Sequence, residues 1–139
     1  MRETVTFSVE SGFKEQITNK VKELGYSNTS KMIRDALQQF FESEEALLKM
    51  EGIVTVIVSV VYDHHDVNTL KEFIELQHHL NISFSSHSHI TESECLEIIL
   101  LTASVAEILK FQRKLRGLEG LKYTSVNLVS RACTENGNS

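Results

Sequence analysis

The chain contains no proline, no tryptophan, only two cysteines and no long hydrophobic run. Two cysteines far apart in sequence do not form the disulfide framework of a small secreted protein. The longest apolar stretch, residues 53–62, includes Thr55 and Ser59 and falls short of the about 20 residues that a membrane-spanning helix needs. The first residues lack the apolar segment of a secretory signal. We therefore expect a soluble, cytoplasmic protein.

The length and charge of the chain limit its function without deciding it. With 139 residues, of which 41% are hydrophobic and 24% charged, it has room for one ordinary domain or two small ones, which excludes a large multidomain enzyme. The formal net charge is −5. Residues 1–41 carry six Lys and Arg against five Asp and Glu, so this segment is nearly neutral. Charge alone neither supports nor forbids DNA binding there.

The first 41 residues have the pattern of a strand followed by two helices. Residues 4–9 alternate strictly between apolar and polar side chains, which predicts a strand. Apolar residues then recur at helical spacing from Gly12 to Leu24, and Gly25 stands where a helix would end. Polar residues 27–30 offer caps for a second helix with its apolar face between Met32 and Phe41.

A segment of this size cannot bury its own apolar faces, so we expect two copies to pair their strands antiparallel. The paired strands would expose Thr4, Thr6 and Ser8 on a two-stranded ribbon that enters the major groove of DNA. Thr6 and Ser8 would reach base edges, and Thr4 or Arg2 would assist. The twofold symmetry of such a pair predicts a palindromic operator. Phosphate would be held by backbone amides at the start of the second helix, from Asn28, Thr29 and Ser30.

The rest of the chain predicts a second module, with the junction in the polar segment 42–51. Strand patterns at 53–62, 81–90, 95–101 and 123–129 alternate with helical patterns at 67–79 and 105–115. This β-α-β-β-α-β order is the ferredoxin-like arrangement. The first and third strands are apolar on both faces, so we expect another subunit to cover the face without helices. We place the domains at 1–50 and 51–133, followed by a tail at 134–139.

All six histidines lie between positions 64 and 89, and Cys95 follows closely. His87 and His89 are two residues apart on a predicted strand, so their imidazoles share one side with Cα atoms about 7 Å apart. A hairpin would return Cys95 beside them, on the face that we assign to the subunit contact. Imidazole and thiolate donors suit a late first-row divalent ion rather than magnesium or calcium. The fourth donor would be His78 or His79 from another subunit.

Other interpretations apply to the remaining groups. His64 and His65 are expected in a solvated loop, and Cys133 is expected to be structural or free. A metal storage or trafficking protein without a DNA role is the alternative function. A hydrolase that uses a metal-bound water is disfavoured, because three histidines and a thiolate would fill a four-coordinate site. We therefore expect no enzymatic activity.

The chain resembles the nickel-responsive regulators (NikR) of bacteria and archaea in segments 25–35, 77–79, 87–89 and 95–98. The resemblance implies a tetramer built from ferredoxin-like (ACT-type) domains and flanked by two ribbon-helix-helix dimers. It implies nickel bound by His87, His89 and Cys95, with His78 donated across the subunit interface. Gln77 and Glu97 would support these ligands through hydrogen bonds.

The resulting hypothesis is an α+β protein, an N-terminal ribbon-helix-helix (β-α-α) domain followed by a ferredoxin-like domain. It would be a homotetrameric, metal-responsive repressor that binds operator DNA when loaded with Ni²⁺ and represses metal-uptake genes. Co²⁺, Zn²⁺ and Cu²⁺ are the alternative ions.

Overall fold

Helices α1 and α2 dominate the N-terminal unit, which comprises residues 1–46. The structure is a computed structural model that describes residues 1–131, with α1 at Phe13–Glu23 and α2 at Thr29–Leu48. Gly25, with φ of 80°, ends α1 where the sequence predicts. The Tyr26 amide donates to the Val21 carbonyl at 2.9 Å, and the Gly25 amide donates to the Lys22 carbonyl at 3.2 Å. Both bonds belong to a Schellman cap, which requires the left-handed conformation that glycine adopts without strain.

Residues 1–10, which include the predicted strand, are assigned neither to a helix nor to a strand. A strand is recognised by its ladder of backbone hydrogen bonds, and no segment of residues 1–131 pairs with this one. Its apolar side chains are exposed, with Val5 at 87% and Phe7 at 62%. No residue of α1 or α2 is buried either. The ribbon requires a second chain and stays a prediction.

The second unit begins at Leu47 and contains a four-stranded antiparallel sheet with the strand order β2-β3-β1-β4. The predicted β-α-β-β-α-β order is confirmed, and the chain is a mixed α+β protein. The boundary between the two units lies inside the polar segment 42–51, and α2 extends into this segment as far as Leu48. The elements of this unit are β1 (Ile53–Asp63), α3 (Val67–Gln77), β2 (Ile82–His89), β3 (Glu94–Ser104), α4 (Val105–Arg116) and β4 (Leu121–Arg131).

The hydrophobic core lies between one face of the sheet and the helices α3 and α4. Alternate residues of β1, from Val54 to Tyr62, are buried on this face. Phe73 of α3 and Ile108 of α4 pack against them and are 0% exposed. The opposite face carries exposed apolar side chains, including Ile57 and Phe84. Within residues 1–131, no helix combines the length and the hydropathy that crossing a bilayer requires.

The start of α3 is fixed by a close contact with the loop before β4. Asp66 caps the helix, accepting hydrogen bonds from the Thr69 amide at 3.1 Å and the Thr69 hydroxyl at 2.7 Å. The hydroxyl and the amide hold the pKa of Asp66 below its usual value. Gly120 approaches so closely that an added Cβ would collide with the Thr69 hydroxyl. Only glycine leaves room for this capping arrangement.

Replacement of Gly120 by alanine is expected to lower the free energy of unfolding by about 1 to 3 kcal/mol, because the new methyl group displaces Thr69 from the cap. Urea unfolding followed by circular dichroism measures the change. Gly117→Ala is the matched control, since a Cβ there meets its nearest atom, the Lys114 carbonyl oxygen, at an ordinary 3.4 Å. Equal stability of the Gly120→Ala variant and the wild-type protein would contradict this account.

Candidate metal centre

The hairpin between β2 and β3 brings His89 and Cys95 together. The two residues are directly paired in the antiparallel register. The turn is closed by the Ile90 amide, which donates to the Glu94 carbonyl at 2.9 Å, and by the Thr91 hydroxyl oxygen, which accepts from the Glu94 amide at 3.0 Å. A short polar turn thus positions two donor side chains six residues apart in sequence. The predicted hairpin is confirmed.

The side of the sheet on which these donors lie differs from the expectation. Paired residues of an antiparallel sheet point to the same side, and Cys95 pairs with both His89 and the buried Tyr62. The histidines therefore share the helix-covered face, and the prediction that they lie on the opposite face is wrong. The cause is a register shift between Ile82 and Phe84, which breaks the strict alternation assumed for β2.

The side chains of His89 and Cys95 are close enough to bind the same metal ion, and the His87 ring lies next to the His89 ring. The Cys95 Sγ lies 3.5 Å from the His89 Nδ1. Cys95 is 0% exposed, whereas His89 is exposed at the edge strand. The His87 and His89 rings lie 5.3 Å apart between centroids. One imidazole thus lies beside the thiol at this end of the sheet, and a second imidazole lies next to the first.

His64 joins this group, although the sequence pattern predicts a solvated loop for it. Ligand atoms of His64, His89 and Cys95 all lie within 4.8 Å of one another, and His87 is outside this set of three. The His64 amide donates to the Ser93 carbonyl at 2.8 Å, and its Nδ1 lies 3.0 Å from the same oxygen. A proton on Nδ1 would leave Nε2 free as a metal ligand.

His64 is half-buried, so the expectation of a solvated loop describes only the exposed His65. The β1–β3 register could have indicated its position, because Asp63 pairs with Glu94 and so places the residue after β1 beside the β2–β3 turn. Asp63, His64 and His65 form a second set of potential ligands within 4.8 Å of one another. The two sets share His64, so its single free nitrogen can serve only one of them at a time.

Glu97 and Tyr62 form the polar layer next to the histidines. The Tyr62 hydroxyl donates to the Glu97 Oε2 at 3.4 Å, and Glu97 pairs with His87 across the strands. Burial, followed by the charges of Glu97 and Cys95, raises the pKa of Tyr62 to about 12. Burial also raises the pKa of Glu97, while the Tyr62 hydrogen bond and His87 lower it. Glu97 thus lies beside His87, and its supporting role toward a metal ligand stays a prediction.

The raised pKa of Tyr62 predicts a loss of stability in alkali. Above the ordinary tyrosine pKa of 10.0 the unfolded chain ionises while the folded protein keeps the phenol neutral, so rising pH favours unfolding up to about 12. Urea unfolding across this range should show a steeper decline for the wild-type protein than for Tyr62→Phe. Tyr123→Phe, at an exposed tyrosine, should behave like the wild-type protein. Identical pH slopes for the wild-type protein and Tyr62→Phe would refute the assignment.

Gln77, His78 and His79 lie at the C-terminal end of α3, and His78 and His79 belong to neither group of potential metal ligands found among the described residues. The Gln77 side chain donates to the Phe73 carbonyl at 3.4 Å on its own helix. His78 caps the helix, and His79 has a φ of 72°, an uncommon conformation for a residue other than glycine. Both imidazoles are exposed. The role of His78 as a ligand donated to another subunit stays a prediction.

The residues expected to contact DNA are all exposed in the N-terminal unit. Arg2, Thr4, Thr6 and Ser8 lie in segment 1–10. The Asn28 side chain caps α2, with its Oδ1 accepting from the Lys31 amide at 2.8 Å. Within the described chain, the amides of Thr29 and Ser30 make no hydrogen bond. Free amides at a helix N-terminus are suited to bind phosphate. Cys133 and the expected tail at 134–139 lie outside the described residues.

The sheet has the ferredoxin-like arrangement, and the donor set at one end of it could hold a transition-metal ion. A thiol among imidazoles selects late first-row ions over Mg²⁺ and Ca²⁺, which prefer oxygen donors. Three donors within one chain would leave one place for a further ligand in a four-coordinate site.

Known proteins of similar sequence agree with this assignment. A family model described as the NikR C-terminal nickel-binding domain matches residues 55–129. A Campylobacter hominis protein classed as a nickel-responsive regulator is 32% identical over 130 residues, covering 91% of this chain and 94% of that protein. A Pyrococcus furiosus protein of the same class is 33% identical over 111 residues, covering 78% of this chain and 80% of that protein.

The chain belongs to the nickel-responsive regulator family. Among solved structures, the uncharacterized protein TM1266 of Thermotoga maritima is similar with a TM-score of 0.51 and 14% identity, over 57% of this chain and 100% of that one. This likeness concerns the fold alone.

Proposed function

We propose that the protein is a nickel-responsive transcriptional repressor, a homotetramer that binds a palindromic operator when loaded with metal and represses metal-uptake genes. The observation that carries this proposal is the His89 and Cys95 pair, with Nδ1 and Sγ 3.5 Å apart, inside a segment that matches a nickel-binding domain. Neighbouring His87 and His64 supply additional imidazoles.

The ion would be held by His87, His89 and Cys95 of one subunit and by His78 of another. A thiolate and neutral imidazoles are strong donors for Ni²⁺, and they also accept Co²⁺, Zn²⁺ and Cu²⁺. A metal ion held by these residues would cross-link two subunits. Protons compete with the ion for the same atoms, so the affinity falls as the pH falls.

Two arrangements of donors are available within one chain, and they make different predictions. His64 is close to both His89 and Cys95, whereas His87 contacts His89. If the tetramer uses the family set, His87→Ala weakens nickel binding more than His64→Ala does. A larger effect of His64→Ala would show that the set present in the single chain is retained in the metal-bound protein.

The DNA-binding half of the proposal depends on the exposed polar residues of segment 1–10 and on the N-terminus of α2. Paired segments from two chains would present Thr6 and Ser8 to base edges, with Thr4 and Arg2 nearby. The free amides of Thr29 and Ser30 would hold a phosphate beside the Asn28 cap. The coupling would arise because metal joins His78 to the site of a neighbouring subunit and so favours one arrangement of the tetramer.

Operator affinity measured with and without nickel tests this function. Fluorescence anisotropy with promoter fragments from metal-uptake genes should show about 5- to 150-fold tighter binding with Ni²⁺, which corresponds to a coupling of about 1 to 3 kcal/mol. The metal effect should disappear in His87→Ala. If the protein binds nickel but changes the anisotropy of no promoter fragment, it would instead be a storage or trafficking protein.

A further inference from the structure

Positive charge is distributed unevenly between the two units of the chain. Residues 1–46 carry six Lys and Arg against eight Asp and Glu, a formal net charge of −2. Duplex DNA presents about one negative charge per 1.7 Å of its axis, and neutralisation of phosphates supplies much of the affinity of DNA-binding proteins. The N-terminal unit, to which the base contacts are assigned, therefore has no excess of positive charge with which to neutralise DNA phosphates.

The basic residues are concentrated instead around the end of α4. Residues 110–122 contain five Lys and Arg and one Glu, a net charge of +4 within a chain of net charge −5. Ile108, Phe111 and Leu115 bury the inner side of α4 against the sheet. Lys110, Arg113 and Lys114 are exposed and form the basic face of α4.

Within residues 1–131, the basic face of α4 has little compensating charge, because the one acidic residue of α4, Glu107, accepts a hydrogen bond from the Ser104 amide in the helix cap. None of its three residues makes an ion pair with a described residue, whereas Lys122 lies 3.8 Å from the Glu94 carboxylate. Positive charges three and four residues apart on a helix repel one another. The helix dipole favours cations in the last turn, but only weakly for exposed groups. An external anion would relieve this repulsion.

We infer that the basic face of α4 binds the phosphate backbone of the DNA that the N-terminal unit reads. This inference rests on the proposed function and adds a second, sequence-independent contact surface located in the metal-binding unit. Each Lys or Arg neutralises a phosphate and releases counterions, so the contact strengthens binding to operator and unrelated DNA alike.

The test compares the nickel-loaded full chain with the triple variant Lys110→Gln, Arg113→Gln, Lys114→Gln. Operator affinity is measured by fluorescence anisotropy over a range of ionic strengths. The slope of log affinity against log salt should become shallower by about 0.9 for each phosphate that the variant no longer neutralises, and binding at low salt should weaken at least about tenfold. Affinity for an unrelated duplex should fall by the same factor.

Matched variants separate charge from structure. The charge-conserving variant Lys110→Arg, Arg113→Lys, Lys114→Arg should keep both the affinity and the slope. Lys71→Gln, which removes one exposed charge from α3, should leave the slope unchanged. The melting temperature and the nickel affinity should be the same in all variants. If the triple variant fails to fold, the single variants Lys110→Gln and Lys114→Gln replace it, each with an expected slope change of about 0.9.

Each outcome has a distinct meaning. An unchanged salt slope in the triple variant, with wild-type protein binding the operator, would overturn the inference and leave the proposed function intact. If the triple variant binds DNA like the wild-type protein but no longer binds phosphatidylserine vesicles, the basic face of α4 is a membrane-binding surface, and the inference is overturned as well. Failure of the nickel-loaded wild-type protein to bind any DNA would refute the proposed function, and this inference with it.

Discussion

Replacement of Cys95 by serine is expected to reduce nickel affinity by more than about 100-fold. Loss of a residue that only hydrogen-bonds to a metal ligand costs about 10- to 100-fold, and Cys95 is proposed as a ligand itself. Cys95 is the free cysteine of the described chain and is fully buried beside His89, at 3.5 Å from its Nδ1. A serine hydroxyl is neither soft nor readily deprotonated, so it cannot replace the thiolate as a donor. Competition titration with a chromophoric chelator measures the affinity.

The absorption spectrum provides a second measurement of the same change. The thiolate-to-nickel charge-transfer band should be absent in Cys95→Ser and present in Cys133→Ser, which removes the other cysteine of the chain. If Cys95→Ser retains both the band and the affinity, sulfur ligation occurs elsewhere and the assigned site is incorrect. Urea unfolding without metal separates ligand loss from loss of the fold, because Cys95 also belongs to the hydrophobic core.

Replacement of both Thr6 and Ser8 by alanine is expected to weaken operator binding at least about 100-fold while nickel binding and assembly stay unchanged. Each base pair read incorrectly costs a DNA-binding protein about 1 to 3 kcal/mol, and a paired ribbon would use both residues twice. Affinity for an unrelated duplex should change little, because that binding depends on phosphate contacts. Anisotropy titrations with both duplexes measure the ratio.

Thr18→Ala is the control for this double substitution. Thr18 is an exposed threonine on α1 whose hydroxyl donates to the Lys14 carbonyl at 3.1 Å, so it has no part in the proposed ribbon. Analytical ultracentrifugation should give the same assembly for all three proteins. Retention of operator specificity by the Thr6→Ala, Ser8→Ala variant would show that the N-terminal segment does not read bases.

Most of the second unit could be predicted from periodicity. The 3.6-residue pattern of α4 has one structural solution, because rotating the helix would move Ile108 out of the core. The apolar run of β1 predicts a buried strand, but because both of its faces are apolar it does not predict that Val56 lies on the face covered by helices. The His89 and Cys95 pair could also be predicted, since a polar turn between two strand patterns fixes which residues meet. These predictions depend on local pattern alone.

The remaining features depend on information that local pattern does not contain. The register shift between Ile82 and Phe84 leaves Ile82 on the core side of β2 but brings His87 and His89 to that side as well, and strict alternation could not anticipate an extra residue. His64 approaches Cys95 because β1 pairs with β3, a strand that is distant from it in sequence. The predicted N-terminal strand would require backbone partners from a second molecule, because no segment of residues 1–131 pairs with it.

If two chains pair through their N-terminal segments as proposed, the absence of buried residues from α1 and α2 would make folding of the N-terminal unit a bimolecular event. Where a hydrophobic core forms only between protomers, the melting temperature rises with protein concentration, and dilution dissociates and unfolds the unit together. The cellular abundance of the protein would then set how much of it is competent to occupy an operator, before any metal arrives.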